Sequence, residues 1–139
     1  MKLRQNYEIM SPAGSYESLM AAIQGGADSI YFGIEGLNMR SKSSNNFTID
    51  DLHKIVAICK ESNIKSYLTV NTIIYNNDMT LMRKVVDAAK EANLSAIIAA
   101  DVAVLMYARS IGVEVHLSTQ LNITNTESLK FYAQYADVV

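Results

Sequence analysis

The chain has 139 residues, half of them apolar and 19% charged, with a net charge of −2. That composition suits one globular unit able to bury a core, and it excludes a basic stripe of the kind that marks nucleic-acid binding. The single cysteine, Cys59, excludes an internal disulfide framework, and alone it cannot build a zinc or iron–sulfur site.

The opening Met-Lys-Leu-Arg-Gln-Asn-Tyr-Glu has no apolar core of a signal peptide, and no apolar run is long enough for a bilayer. The expectation is a cytoplasmic protein with no membrane partner. Tyr7 to Ser11 is a short apolar run ended by Pro12, because proline cannot donate in a ladder. Ser15 then caps a helix with Leu19, Ala22 and Ile23 on one face, closed by Gly25-Gly26. Ser29 to Gly33 is a second strand, followed by a long polar loop from Ile34 to about Phe47. Thr48 and Asp51 form a short-armed capping box for a helix carrying Leu52, Ile55, Val56 and Cys59 at helical spacing. His53 lies off that stripe. Ser66 to Asn71 is a third strand. Asp78 caps a third helix with Leu81, Met82, Val85, Val86 and Ala89 inward. Ala96 to Ala100 is a fourth strand, and Asp101 caps a helix with Val104, Leu105 and Ala108 inward, stopped near Gly112. Val113 to Thr119 is a fifth strand. Thr124 and Glu127 form a capping box for a fifth helix through Leu129 and Tyr132, and Asp137-Val138-Val139 begins a sixth strand.

Strand–helix alternation of this kind gives a parallel sheet with right-handed crossovers. An open doubly wound sheet would be apolar on both faces. These strands are two-faced: Ile30 and Phe32 oppose Ser29, Tyr31 and Gly33; Leu68 and Val70 oppose Tyr67, Thr69 and Asn71; Val115 and Leu117 oppose His116, Ser118 and Gln120. One face suits helices and the other suits a barrel interior that grows more polar toward the strand C-termini, where such barrels place their chemistry. The fold class is therefore α/β, a partial TIM-like (β/α) barrel of about five βα units plus the start of a sixth strand. A complete barrel takes about 250 residues. The expectation is that residues 1–139 are one amino-terminal barrel portion of a longer protein, or else a short chain whose open sheet edges pair with a second copy into a homo-oligomer.

Six segments carry a family resemblance: Ile-Met-Ser-Pro-Ala-Gly-Ser (Ile9 to Ser15), Gly-Gly-Ala-Asp-Ser-Ile-Tyr-Phe-Gly (Gly25 to Gly33), Asn-Asn-Phe-Thr (Asn45 to Thr48), Thr-Val-Asn-Thr (Thr69 to Thr72), Ala-Ala-Asp (Ala99 to Asp101) and His-Leu-Ser-Thr-Gln-Leu-Asn-Ile-Thr-Asn (His116 to Asn125). In this order they resemble the collagenase-like peptidase family, peptidase U-thirty-two, over nearly the whole chain. The resemblance implies a barrel and a peptidase or collagenase label. It equally implies a second activity found in members that hydroxylate tRNA uridine, ribosomal RNA cytidine or a ubiquinone precursor. Those members draw on prephenate and an iron–sulfur cluster held by cysteines downstream of the region matched, so the cluster would belong to the parent protein and no cofactor to this chain. The partner implied is an RNA or a peptide substrate. The residues themselves favour proteolysis little, since there is no His-Glu-x-x-His, no Gly-x-Ser-x-Gly and no cysteine on a mouth loop. A third reading is a non-catalytic binding or assembly module.

His116 is the foremost ionisable candidate, either a general acid/base or a hydrogen-bonded interior histidine with no partner acid placed by the sequence. Ser118 and Gln120 share its face, and with Asn122 they are read as substrate-binding residues. Two side chains rooted roughly 7 Å apart on one strand do not make a nucleophile–base pair. Asn71 and Thr72 end the third strand and are further substrate-binding candidates, whereas Asp101 sits where a helix cap belongs. Gly14, in the turn above the first strand, offers a backbone N–H to an anion. Arg40, in the loop with Lys42, Ser43, Ser44, Asn45 and Asn46, either clamps a carboxylate or phosphate or lies in a solvated loop. Cys59 reads as a packing residue, and no metal ligands are assigned.

Overall fold

The computed structural model describes residues 7–37 and 47–139. Five strands alternate with five α-helices: β1 (Met10–Pro12), α1 (Tyr16–Gln24), β2 (Ser29–Gly33), α2 (Leu52–Glu61), β3 (Lys65–Val70), α3 (Met79–Glu91), β4 (Ala96–Ala99), α4 (Val102–Ser110), β5 (Val115–Leu117) and α5 (Thr126–Tyr132). The strands are all parallel and lie in the order β1-β2-β3-β4-β5. A sequential order with right-handed crossovers keeps every helix on one side of the sheet, which is how a barrel wall is wound; an open doubly wound sheet reverses its order at a switch point. The expected sixth strand is present as a single parallel bridge between His116 and Val138, with Leu117 N–H donating to Val138 O at 2.9 Å.

The helix-facing residues form one continuous core. Ile30, Phe32, Leu68, Val70, Ile97, Ala99 and Val115 from the strands meet Leu19, Leu52, Ile55, Val56, Cys59, Met82, Val85, Val86, Val104, Leu105 and Ala108 from the helices. The register places Tyr31, Tyr67 and Ala96 side by side on the opposite face, and Gly33, Thr69, Ile98 and His116 in the next row. The two-faced reading of the strands is what the sheet shows. Ser29 and Tyr67 are buried on the inner face even so.

Each of the first four helices ends in the same way. Gly26, Asn63, Asn93 and Gly112 take left-handed backbone, with φ of 79°, 54°, 56° and 74°. The residue after each donates back into the helix: Ala27 to Ala22 O, Ile64 to Cys59 O, Leu94 to Ala89 O and Val113 to Ala108 O, at 2.9–3.1 Å. This is the Schellman arrangement, in which a left-handed residue lets the chain reverse and satisfy the last carbonyls.

Several boundaries differ from expectation. β1 is shifted onward to Met10–Pro12, since in a parallel edge strand Pro12 needs no donor and Ala13 N–H supplies the next bond, to Tyr31 O. β3 and β4 each stop one residue early, at Val70 and Ala99. β5 stops at Leu117 because Ser118 opens a short 3-10 turn, Thr119–Leu121, so Gln120 does not share a strand face with His116. Asp78 does not cap α3 through its side chain; its carboxylate reaches back to Tyr75 N–H at 2.9 Å. Leu81 faces outward, 38% exposed, and its Cδ2 would stand 3.2 Å from a Cβ at Gly36, whose φ is +91°. The cap of α5 is Asn125, bonded to Ser128 N–H at 2.9 Å, while Glu127 pairs with Lys130. Asn125 can accept from the third helical residue without the longer reach that a Thr124–Glu127 box requires.

Leu105→Ala, in the core, is expected to cost about 2–5 kcal/mol in urea unfolding, and Leu129→Ala on half-exposed α5 far less. Asn93→Val, which forces a β-branched residue into left-handed backbone, is expected to cost about 1–2 kcal/mol while Asn93→Gly is near neutral.

Candidate functional site

The strand ends divide the candidate residues between two places. At the N-terminal ends lies a cavity of about 550 Å³ lined by Glu8, Lys65, Tyr67, Ser95, Glu114 and His116, with Met10 and Val138. Lys65 and His116 come from β3 and β5, while Glu8 and Glu114 lie just before β1 and β5. The Glu8 carboxylate accepts from Tyr67 Oη at 2.6 Å and from Lys65 Nζ at 2.8 Å, reaching across β2 to do so. Partial burial alone would raise the Glu8 pKa, but the hydrogen bonds from Lys65 and Tyr67 outweigh it and hold the carboxyl down at about 2, from an ordinary 4.5. Burial and the Glu8 bond push the Tyr67 phenol up to about 12, so it remains a donor. The Tyr67 ring lies against the His116 imidazole, centroids 4.9 Å apart, and His116 Nε2 meets Glu114 Oε1 at 2.8 Å.

His116 therefore has a partner acid. Glu114 was missed as one, although a residue two positions earlier on a strand shares the same face. Glu8, Lys65 and Tyr67 were missed for a different reason: they meet through strand neighbours far apart in sequence. A carboxylate–imidazole pair can hold and pass a proton. Its place at the N-terminal ends of the strands is the side that βα barrels use for stability.

The other candidates sit at the C-terminal mouth. Gly14 lies in the turn before α1, but its N–H already donates to Ser18 Oγ at 2.9 Å, as does that of Ser15. Asn71 and Thr72 follow β3, and the Thr72 Oγ1 is buried without a hydrogen-bond partner. Ser118, 7% exposed, caps the 3-10 turn by accepting from Gln120 N–H at 3.3 Å. Gln120 and Asn122 are exposed on that turn, with Asn122 left-handed at φ 48°. His116 and Ser118 thus bond in different directions and form no nucleophile–base pair. Arg40 and its neighbours Lys42, Ser43, Ser44, Asn45 and Asn46 lie outside the described residues.

Two ties hold the mouth together. Tyr16 Oη donates to Asp51 Oδ1 at 2.6 Å, joining the starts of α1 and α2, with Lys54 Nζ 4.3 Å above the Tyr16 ring and Phe47 packed edge-on at 5.2 Å. The Tyr16 bond lowers the Asp51 pKa, with further help from Thr48 N–H. Asp101 caps α4 through Ala103 N–H at 2.8 Å and also accepts from Ile74 N–H at 3.0 Å.

Among the described residues, no three of His, Cys, Asp and Glu converge as metal ligands. Cys59 is 1% exposed in the core, and burial pushes its thiol up to about 11, the opposite of what cluster ligation needs. The chain's own donors do not fit an iron–sulfur cluster. Nor is any helix among the described residues long and apolar enough to cross a membrane.

The model for Peptidase family U32 matches residues 14–137. The chain is 68% identical over 134 residues to a protein of Porphyromonas gingivalis named Collagenase, covering 96% of this chain and 32% of that one. It is 33% identical over 129 residues to the tRNA hydroxylation protein P1 of Bacillus subtilis, covering 91% of this chain and 30% of that one. The chain thus spans about a third of the length of these relatives. In structure it is similar to the U32 peptidase Mk0906, with a TM-score of 0.73 at 14% identity over 94% of this chain and 57% of that one.

Because Glu8 has a depressed pKa, its stabilising bonds are fully present above pH 4.5 and lost as pH falls toward 2. Wild-type protein is expected to be more stable than Glu8→Gln at pH 6 in chemical denaturation, and the gap should close between pH 4.5 and 2. A gap that persists unchanged at pH 2 would show that the charge is not the source.

Proposed function

The chain belongs to peptidase family U32, and from that premise we propose that it forms five βα units of the barrel of a collagenase-like enzyme, a hydrolase of peptide substrates. In this reading the chain builds part of the substrate pocket at the C-terminal mouth, through Asn71, Thr72, Ser118, Gln120 and Asn122, with Gly14 beside them. The groups that break the bond come from elsewhere in the parent polypeptide. The observation that carries the reading is 68% identity to a protein named Collagenase over nearly all of this chain. The cytoplasm is the proposed location, in keeping with a lone reduced thiol.

A second reading, RNA hydroxylation, is favoured by a separate observation. Among the described residues, His116 and Ser118 form no nucleophile–base pair, and no three of His, Cys, Asp and Glu converge as metal ligands. The Bacillus subtilis relative bears the name of a tRNA hydroxylation protein. Here the same mouth would receive an organic hydroxyl donor such as prephenate. Any iron–sulfur cluster would need cysteines from beyond this chain, since Cys59 does not suit one.

Full-length protein incubated with denatured collagen, read by peptide mass spectrometry, separates the two when paired with nucleoside analysis of RNA from cells lacking the gene. New collagen fragments with an unchanged nucleoside profile are expected. Loss of a hydroxylated pyrimidine without collagen cleavage would replace the first reading by the second, and silence in both assays would remove both.

We further propose that residues 1–139 alone self-associate. Among the described residues, the β1 edge carries no neighbouring strand, and the β5 edge is covered only by the Val138 bridge. Exposed Tyr7, Ile9 and Met10 at one edge and Val138 and Val139 at the other add apolar surface. Light scattering should return a mass of at least a dimer, and a stable folded monomer would end the idea.

A further inference from the structure

Asp101 follows β4 with extended backbone and uses both carboxylate oxygens. Oδ1 takes Ala103 N–H, two residues on, which is an ordinary helix cap. Oδ2 takes Ile74 N–H, 27 residues earlier, in the loop between β3 and α3. The next amide in that loop, Tyr75 N–H, is taken by Asp78 Oδ2 at 2.9 Å. Two successive backbone donors are thus gripped by two carboxylates from different places. Between them the chain alternates sharply: Ile74 packs against the core, while Ile73 and Tyr75 on either side are 71% and 68% exposed. A loop with two large apolar side chains in water has little packing of its own to hold it. The grip on Ile74 ties the segment that follows Asn71 and Thr72 to the start of α4.

We propose that Asp101 is a positioning residue that sets the β3–α3 loop, and with it Asn71 and Thr72, over the mouth of the barrel. The inference deepens the reading of the mouth as the substrate side and rests on it for its functional half. Its chemistry requires a carboxylate. Asparagine and serine cap helices about as well as aspartate. Asparagine, however, has a single acceptor oxygen, and with that oxygen on Ala103 its NH₂ group would face the Ile74 N–H, donor against donor. Serine has one oxygen on a shorter stem and can serve the cap alone. A cap role tolerates both substitutions, whereas a positioning role tolerates neither.

The experiment is residue-resolved amide exchange on Asp101→Asn and Asp101→Ser, two variants so that a folding failure of one leaves the other. Loss of one hydrogen bond is worth about tenfold in opening. Ile74 exchange should therefore quicken by about tenfold while Ala103 stays close to wild type. Unchanged protection of Ile74 in a folded variant would overturn the proposal, since that is what a cap and nothing more predicts, and so would equal loss at Ile74 and Ala103, which is the signature of a general loosening around Asp101 and not of the Ile74 bond. In full-length protein, Asp101→Asn should raise KM for denatured collagen more than it lowers kcat. A released Ile74 with unaltered kinetics would overturn the link to substrate. Wild-type protein inert toward collagen would instead count against the peptidase reading, and the exchange data would still decide what Asp101 does.

Discussion

The left-handed residue that ends each helix is the constraint on which the rest of the chain depends. A right-handed helix cannot run straight into a strand packed on its own flank; the chain must reverse within two or three residues. Gly26, Asn63, Asn93 and Gly112 do this with positive φ, and the bond that follows each one returns to the last turn of the helix. The residue that donates it is apolar every time, Ala27, Ile64, Leu94 or Val113, and each packs into or against the core. The residue after that is polar every time, Asp28, Lys65, Ser95 or Glu114, and it stands where the next strand begins. One turn geometry, repeated, therefore makes all strands parallel and adjacent. It keeps the helices on one side and leaves the inner face of the sheet clear of them.

The same repetition separates the two ends of the sheet chemically. At the N-terminal ends it gathers polar residues around a cavity, and there a charge has to be paired to leave water. Glu8 meets this condition twice over, through Lys65 and Tyr67, which is why its carboxyl remains ionised well below the usual range. The Tyr67 ring then lies tilted against His116, so the network crosses from the residues before β1 to β5. At the C-terminal ends the chain has left its strands and no repeated geometry governs it. The loops are held there by individual ties, Tyr16 to Asp51 and Asp101 to Ile74. Loops secured at single points can change sequence without disturbing the wall beneath them.

The architecture could be read before any coordinates because it rests on periodicity. Leu52, Ile55, Val56 and Cys59 are the buried stripe of α2, and Met82, Val85, Val86 and Ala89 that of α3, since helical spacing alone decides which side chains meet the sheet. Ser15 and Asp101 were readable as caps for the same local reason. The sequence was less informative where a choice depends on a distant partner. Asn63 and Asn93 terminate helices as Gly26 and Gly112 do, yet asparagine announces a left-handed turn less loudly than glycine. Leu81 fits a helical stripe but turns toward Gly36 in another loop. The direction of the His116 ring could not be had from strand alternation, which specifies a face but not an end of it. The Glu8–Tyr67 bond joins residues 59 apart, and no local pattern carries that information.

His116 shows how this bears on function. As a sequence feature it combines a titratable ring with a polar strand and invites a catalytic role. In the structure its nitrogen is turned to Glu114 and its face to Tyr67, inside the layer that braces the strand starts. The mouth, by contrast, presents Asn71, Thr72, Gln120 and Asn122 on segments outside the repeated units, and it is there that related barrels can diverge. This division gives a physical sense to relatives whose names differ as widely as Collagenase and tRNA hydroxylation protein while matching the same stretch of chain. What they share with this chain is sequence similarity over nearly all of its length. A wall of this kind is compatible with either chemistry, because reaction type is set by the groups grafted onto its mouth.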